Sequence, residues 1–292
     1  MGSAGTIGTE PEHDPTVKQN DDVLLRFEGV TIIGFDGAPA LKDVTFDVGA
    51  GETRVVLGAA GGGKTVLLKA AAGLIRADEG RITLFGQDIT RMDELHLFDL
   101  RSNVGFLFQE GGLFDSMTIE GNVAYPLVNQ RARKAADYAE VEKAVRETLR
   151  FVELEHTMDR FPSQLSGGMR RRVGIARAVV TQPRLVFYDS PTAGLDPITA
   201  NTIMALIVKE RDIRSTAAVM ATHRYQDGQL MANFRYNPHS GELQRASRNG
   251  DGVEASSTQF MVLNEGRLVF EGSQSELESS RDPYVSQFVL RR

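Results

Sequence analysis

The run Gly58-Ala59-Ala60-Gly61-Gly62-Gly63-Lys64-Thr65 is the stretch of this sequence whose residue types and spacing most directly imply chemistry. It satisfies G-x-x-x-x-G-K-[ST], a pattern in which glycines let successive backbone N–H groups wrap around phosphate oxygens. Lys64 is then placed to neutralise the outer phosphates. Thr65 offers a hydroxyl to Mg²⁺ from the start of a helix whose N-terminus adds its own positive end, with Val66 in the same turn. The flanks supply the setting that phosphate binding needs and a merely flexible glycine turn does not: Arg54-Val55-Val56-Leu57 reads as a buried strand, and Thr65 to Ala72 as a helix stopped by Gly73. A second group with the right chemistry is Asp189, which ends the apolar run Leu185-Val186-Phe187-Tyr188. An acidic residue at the tip of a buried strand can hold the water shell of Mg²⁺, although a capping or turn aspartate is the alternative for such a position.

The elements that must carry these residues can be read from periodicity. From Val23 to Val48, alternating runs separated by Gly34, Gly37 and Pro39 predict antiparallel strands and turns. Between Asp137 and Glu155, Val141, Val145, Leu149 and Val152 recur at helical spacing, and a further helix is expected after Gly168. The Asp189 strand and a third apolar strand, Ala217 to Ala221, which ends at Thr222-His223, complete an α/β pattern with a parallel sheet. A ligand of such a sheet lies beyond the strands' carboxyl ends. Residues 1–22 read as a disordered lead-in without a signal-type apolar stretch, and Tyr236 to Thr258, polar with Gly241, Gly250 and Gly252, as a mobile surface insertion.

Composition narrows the function classes. The chain's 292 residues allow one large domain or two modest ones, and a formal net charge of -6 supplies no basic field to gather nucleic acid. With no cysteine there is neither a disulfide framework nor a thiolate nucleophile. The most apolar helical stretch, Val66 to Ile75, is interrupted by Lys69 and falls far short of the roughly 20 residues a membrane span needs.

Downstream of the glycine loop stand Leu165-Ser166-Gly167-Gly168-Met169, a helix bearing Arg170, Arg171 and Arg172, and, after Asp189, Ala193-Gly194-Leu195-Asp196-Pro197. In this order the chain resembles the ATP-binding cassette family from Val23 to the C-terminus. Ser166 with Gly167 and Gly168 at a helix N-terminus makes a phosphate cradle that needs no lysine. The resemblance implies a RecA-like P-loop core with an antiparallel β subdomain and an inserted α-helical signature subdomain over about residues 110–180. It also implies ATP and Mg²⁺ as cofactors, and a head-to-tail homodimer in which Ser166, Gly167 and Gly168 grip the triphosphate held by the partner's loop.

Further positions carry over singly. Gln109 resembles the glutamine that senses γ-phosphate and Mg²⁺ and contacts the permease. Asp196 is similar to the aspartate of the following loop, His223 to the switch histidine on the γ-phosphate, and Phe35 to the ring that stacks on adenine. The three arginines are expected to form a solvated helix face.

Within the family, three stretches resemble the ATPases of Mla- and Mce-type lipid transporters: Leu107 to Phe114 with Asn122 to Leu127, the signature ending in Met169, and Asp196-Pro197-Ile198-Thr199. That likeness implies permease subunits, an Mce-type lipid-binding partner, a hydrophobic lipid cargo and a peripheral place on the cytoplasmic side of the inner membrane. An amino-acid or metal importer is the alternative, and the acidic balance argues against a DNA-repair or translation cassette. One departure matters. Ser190 occupies the position of the glutamate that usually polarises the attacking water, and a hydroxyl is no general base at neutral pH. Hydrolysis is therefore expected to be slow, with Glu110 the nearest substitute carboxylate in sequence, or the chain acts as an ATP-gated clamp that scarcely hydrolyses.

Overall fold

The computed structural model describes residues 23–129, 137–246 and 256–290. Its first layer is antiparallel. Strands β1 (Val23–Ile33) and β2 (Pro39–Gly49) pair with β4 (Glu79–Leu84) and the short β5 (Gln87–Asp88) in the order β2-β1-β4-β5. Between β2 and β4 the chain leaves this layer as β3 (Thr53–Gly58) and helix α1 (Lys64–Ala71), the strand and helix that bracket the glycine loop.

The second sheet has the order β12-β11-β3-β8-β7-β6, built from β6 (Val104–Leu107), β7 (Leu185–Asp189), β8 (Ala217–Thr222), β11 (Thr258–Asn264) and β12 (Arg267–Gly272). From β11 to β6 all neighbours are parallel, and β12 closes one edge antiparallel. Every residue of β3, β7 and β8 is buried, as strands covered on both faces must be. Because successive side chains alternate, Val55, Leu57, Val186 and Tyr188 enter one core while Val56, Leu185 and Phe187 enter the other. Truncating a residue such as Leu67, fully buried on α1 in the second core, would cost about 2–5 kcal/mol.

Helix α2 (Glu94–Arg101) leads into β6. Between β6 and β7 come α3 (Ile119–Val128), α4 (Tyr138–Phe151) and α5 (Gly167–Val179), a helical layer whose apolar residues join the first core. Asn122 on α3 organises its entrance: its carbonyl accepts from Phe114 N at 2.7 Å, and its amide donates to the carbonyls of Phe114, Met117 and Thr118. This fully buried amide ties the loop after Gln109 to the helical layer. Helices α6 (Pro197–Arg214) and α7 (Tyr225–Asn233) flank β8, and α8 (Gln274–Glu278) and α9 (Pro283–Leu290) end the described chain. No helix among the described residues is long and apolar enough to cross a membrane.

The stretch beginning at Tyr236 departs from its reading as a mobile insertion. Strands β9 (Phe234–Asn237) and β10 (Glu242–Arg245) form an antiparallel hairpin, and Thr258 already belongs to β11. The hairpin is fixed by α6: buried Arg211 donates to the carbonyls of Met231 and Phe234, and Asp212 accepts from Tyr236 N at 2.7 Å. Lys209 adds a cation over the Tyr236 ring at 5.2 Å. Polar composition hid these contacts because their partners lie at least 20 residues away in sequence. The remainder of the expected insertion, residues 247–255, and the N-terminal lead-in, 1–22, lie outside the described residues.

Candidate functional site

The glycine loop runs from the carboxyl end of β3 into α1, and close packing explains its glycines. At Gly63, with φ of 94°, a Cβ would stand 2.5 Å from the carbonyl oxygen of Ala40, and at Gly58 one would stand 2.8 Å from that of Leu263. No side chain caps α1, so its first N–H groups are left for an anion. Lys64 Nζ donates to the carbonyls of Gly58 at 2.9 Å and Ala59 at 2.8 Å, curling the side chain over the loop. Burial pushes the Lys64 ammonium below its ordinary pKa, and the Asp189 carboxylate opposes that shift. A phosphate in the loop would add the anionic charge that this buried ammonium lacks.

The loop forms the floor of a cavity of about 680 Å³ that includes Ala59, Ala60, Gly61, Gly62, Thr65 and Val66 and is walled by Gln109, Ser190 and His223. Three elements widely separated in sequence thus meet at the carboxyl ends of β3, β7 and β8, where a parallel sheet places its ligand. Asp189 is buried at the tip of β7, and Ser190 Oγ lies 3.4 Å from Asp189 Oδ1. Among the described residues no group of three acidic, histidine or cysteine side chains could cage a metal. Mg²⁺ suits this arrangement, because it is commonly held by one or two carboxylates together with substrate phosphates and water.

A second cavity, about 560 Å³, contains Ser166, Gly167, Gly168 and Asp196 and shares no lining residue with the first. Ser166 is the N-cap of α5, its Oγ accepting from Met169 N at 3.3 Å. Gly168 is required by α6, since a Cβ there would lie 2.6 Å from Thr199 Cγ2. Asp196 caps α6, accepting from Ile198 N at 3.1 Å and Thr199 N at 3.0 Å, and the Thr199 hydrogen bonds hold its carboxyl below the usual range. Phe35 lines neither cavity. Its ring is fully exposed in the turn between β1 and β2, so it is not a core aromatic.

Two expectations change at this level. The arginines after the signature do not form a solvated face: Arg170 donates to Leu165 O at 2.6 Å and Arg172 to Val152 O at 3.1 Å. Arg171 is buried and spans to the Ser190 carbonyl at 3.4 Å and the Ala193 carbonyl at 3.2 Å. Burial lowers its pKa, against the nearby charges of Glu110 and Asp189. Helix α5 is packed from several sides, and each guanidinium reaches a carbonyl outside the helix. Glu110 itself is exposed and does not line the loop cavity, which takes its neighbour Gln109 instead.

Sequence reading also missed the fourth wall. Tyr284, Gln287 and Phe288 of α9 line the loop cavity, and Tyr284 Oη accepts from Ala59 N at 3.4 Å and donates to Leu263 O at 3.2 Å. The aromatic-polar pattern of this short helix carries no motif; only the return of the chain beside β11 brings it to the loop.

The ABC transporter family model matches residues 41–193, which span both the glycine loop and the signature turn. Over 270 residues the chain is 37% identical to the probable ribonucleotide transport ATP-binding protein mkl of Mycobacterium leprae (strain TN), covering 92% of this chain and 70% of that protein. Over 244 residues it is 37% identical to the methionine import ATP-binding protein MetN of Corynebacterium jeikeium (strain K411), covering 82% of this chain and 61% of that one. A dimeric ATP-binding cassette solved in a post-hydrolysis state with ADP and Pi superposes with a TM-score of 0.70 at 28% identity, covering 85% of this chain and 98% of that one. Similarity of this extent, running through the phosphate loop, the signature helix and the sheet that joins them, makes the chain a member of the ABC transporter family, an ATPase cassette that takes ATP with Mg²⁺.

Proposed function

We propose that two copies of this chain close head to tail over two ATP molecules and so drive a membrane permease of Mla/Mce type that moves phospholipid or another hydrophobic lipid. One observation carries the dimer: the loop cavity and the signature cavity are separate in a single chain and have no lining residue in common. A triphosphate in the first lacks its second cradle until another copy supplies Ser166, Gly167 and Gly168. In this reading Lys64 and the loop amides hold the phosphates, and Thr65, Gln109 and Asp189 hold Mg²⁺. His223 bonds the γ-phosphate, Asp196 lies at the dimer seam and Phe35 stacks on adenine. Phosphoryl transfer leans on positioning and charge neutralisation, so it proceeds without a carboxylate at Ser190, though slowly.

A third cavity, about 630 Å³ and lined by Phe98, Phe106, Phe114, Tyr125 and Phe108, the chain neighbour of Gln109, supports a permease-docking face there. The chain then sits peripherally on the cytoplasmic side of the inner membrane. The lipid reading rests on the Leu107 to Leu127 stretches, Met169 and Asp196 to Thr199, with an Mce-type protein as the envelope partner. The methionine import relative favours a second reading, an amino-acid importer.

The absence of cysteine makes the dimer directly testable. Ala60→Cys and Ser166→Cys in one chain should crosslink between copies when ATP is present and not without it; no crosslink under ATP overturns the head-to-tail dimer. Phosphate release should appear with the permease and vanish in Lys64→Ala. Co-purification of an Mce-type protein separates the lipid reading from an importer, which would bring a solute-binding protein instead.

A further inference from the structure

Asp227 lies on the first turn of α7, is 1% exposed and lines none of the cavities described above. A buried carboxylate is costly unless its oxygens are met by donors, and here they are. Oδ2 accepts from Thr192 Oγ1 at 2.6 Å and from Thr222 Oγ1 at 2.8 Å, while Oδ1 faces Arg224 Nε at 3.7 Å. The Asp227 amide donates to Arg224 O at 3.2 Å.

One donor, Thr192, stands in the loop after β7, and the other, Thr222, is the last residue of β8. Thr192 stands two residues after Ser190, and Thr222 immediately before His223, and both Ser190 and His223 wall the nucleotide cavity. The Thr222 hydroxyl has no rotational freedom left, since it donates to Asp227 and accepts from Arg224 N at 3.0 Å. Ser190 N donates to Ala221 O at 2.8 Å, and Ser190 itself has a left-handed φ of 49°, so the loop needs support from outside its own strand. The helix that carries Asp227 packs closely at the next residue: a Cβ on Gly228 would lie 2.5 Å from the Phe260 ring.

We propose that Asp227 is a positioning residue for ATP hydrolysis, a carboxylate clamp that holds the Ser190 loop and the His223 turn at a fixed separation around one phosphate. This rests on the ATPase reading of the cavity and deepens it. With serine at position 190 the reaction depends on geometry more than on a base, which makes such a clamp matter. An amide cannot replace it. If its oxygen took both threonine hydroxyls, its NH₂ would face the Arg224 cation.

The test is a mutant cycle in the assembled transporter. Asp227→Ala and Asp227→Asn should each lower kcat by about 10- to 100-fold while ATP affinity changes by less than about threefold, because the carboxylate touches no nucleotide. In a His223→Ala background, Asp227→Ala should add less than about a twofold further loss. Loss of ATP affinity in parallel with kcat, or a full additive loss in that background, overturns the proposal. Thr192→Val and Thr222→Val, which keep side-chain shape, should each reproduce part of the effect even if Asp227→Ala folds poorly. Hydrogen exchange in the isolated chain gives a readout free of turnover: Asp227→Asn should speed exchange of the 190–193 and 222–224 amides together. Unchanged exchange in either segment overturns the clamp. A wild-type complex that releases no phosphate would refute the ATPase reading and leave this second readout to judge Asp227.

Discussion

The two phosphate cradles of this chain solve one problem with different materials. The glycine loop lines its cavity with backbone, buries a lysine beneath it and is closed in by Gln109, His223 and α9. The signature turn offers a serine, two glycines and a helix N-terminus in an open setting, with Ser166 and Gly167 exposed. A buried cation in a walled cavity can hold a triphosphate alone, whereas a neutral helix end facing water gives too little without a partner surface to exclude that water. In the proposed dimer, the difference places nucleotide binding in the monomer and leaves the signature turn to convert binding into association.

Replacing Lys64 should break this contrast hardest. Lys64→Ala removes the buried cation of the stronger cradle, and phosphate release should fall at least about 100-fold, read by a steady-state phosphate assay. Next in size, Ser190→Glu should raise turnover by about 10²-fold if a missing base limits the rate; an unchanged rate places the limiting step elsewhere. Ser166→Ala sharpens the comparison from the other side. The monomer should bind ATP with wild-type affinity by calorimetry while the ATP-dependent dimer weakens about tenfold, a loss of about 1.4 kcal/mol that includes the lost helix cap. Equal damage to monomer binding would show that the two cradles are not separable. Smallest of all, Phe35→Ala should raise the ATP dissociation constant by about two- to tenfold through loss of ring stacking, with triphosphate alone bound unchanged.

Much of the site was legible before any fold existed because its chemistry is local. The spacing of Gly58 to Thr65 fixes a loop between β3 and α1, and Ser166 with Gly167 announces the start of α5, since backbone donors presented by one turn need only neighbouring residues. Strands β3, β7 and β8 were equally readable from their unbroken apolar runs. Arg171 was not. A charge following a helix start usually meets water, and its carbonyl partners at Ser190 and Ala193 appear only when α5 packs beside the β7 loop. Tyr284 and the β9–β10 hairpin were missed for the same reason, because nothing in their own sequence states what α6, β11 or the glycine loop will bring alongside.

The sequence by itself determined the ligand class, because residue types at fixed short spacing decide which donors and charges a turn can present. Only the tertiary structure decided which distant groups share a cavity: it joined Gln109, Ser190, His223 and α9 around one loop and kept the signature turn apart. The physical reason is that hydrogen bonds and charges act over a few ångströms, while the order of strands in a sheet brings together residues that the chain separates by hundreds.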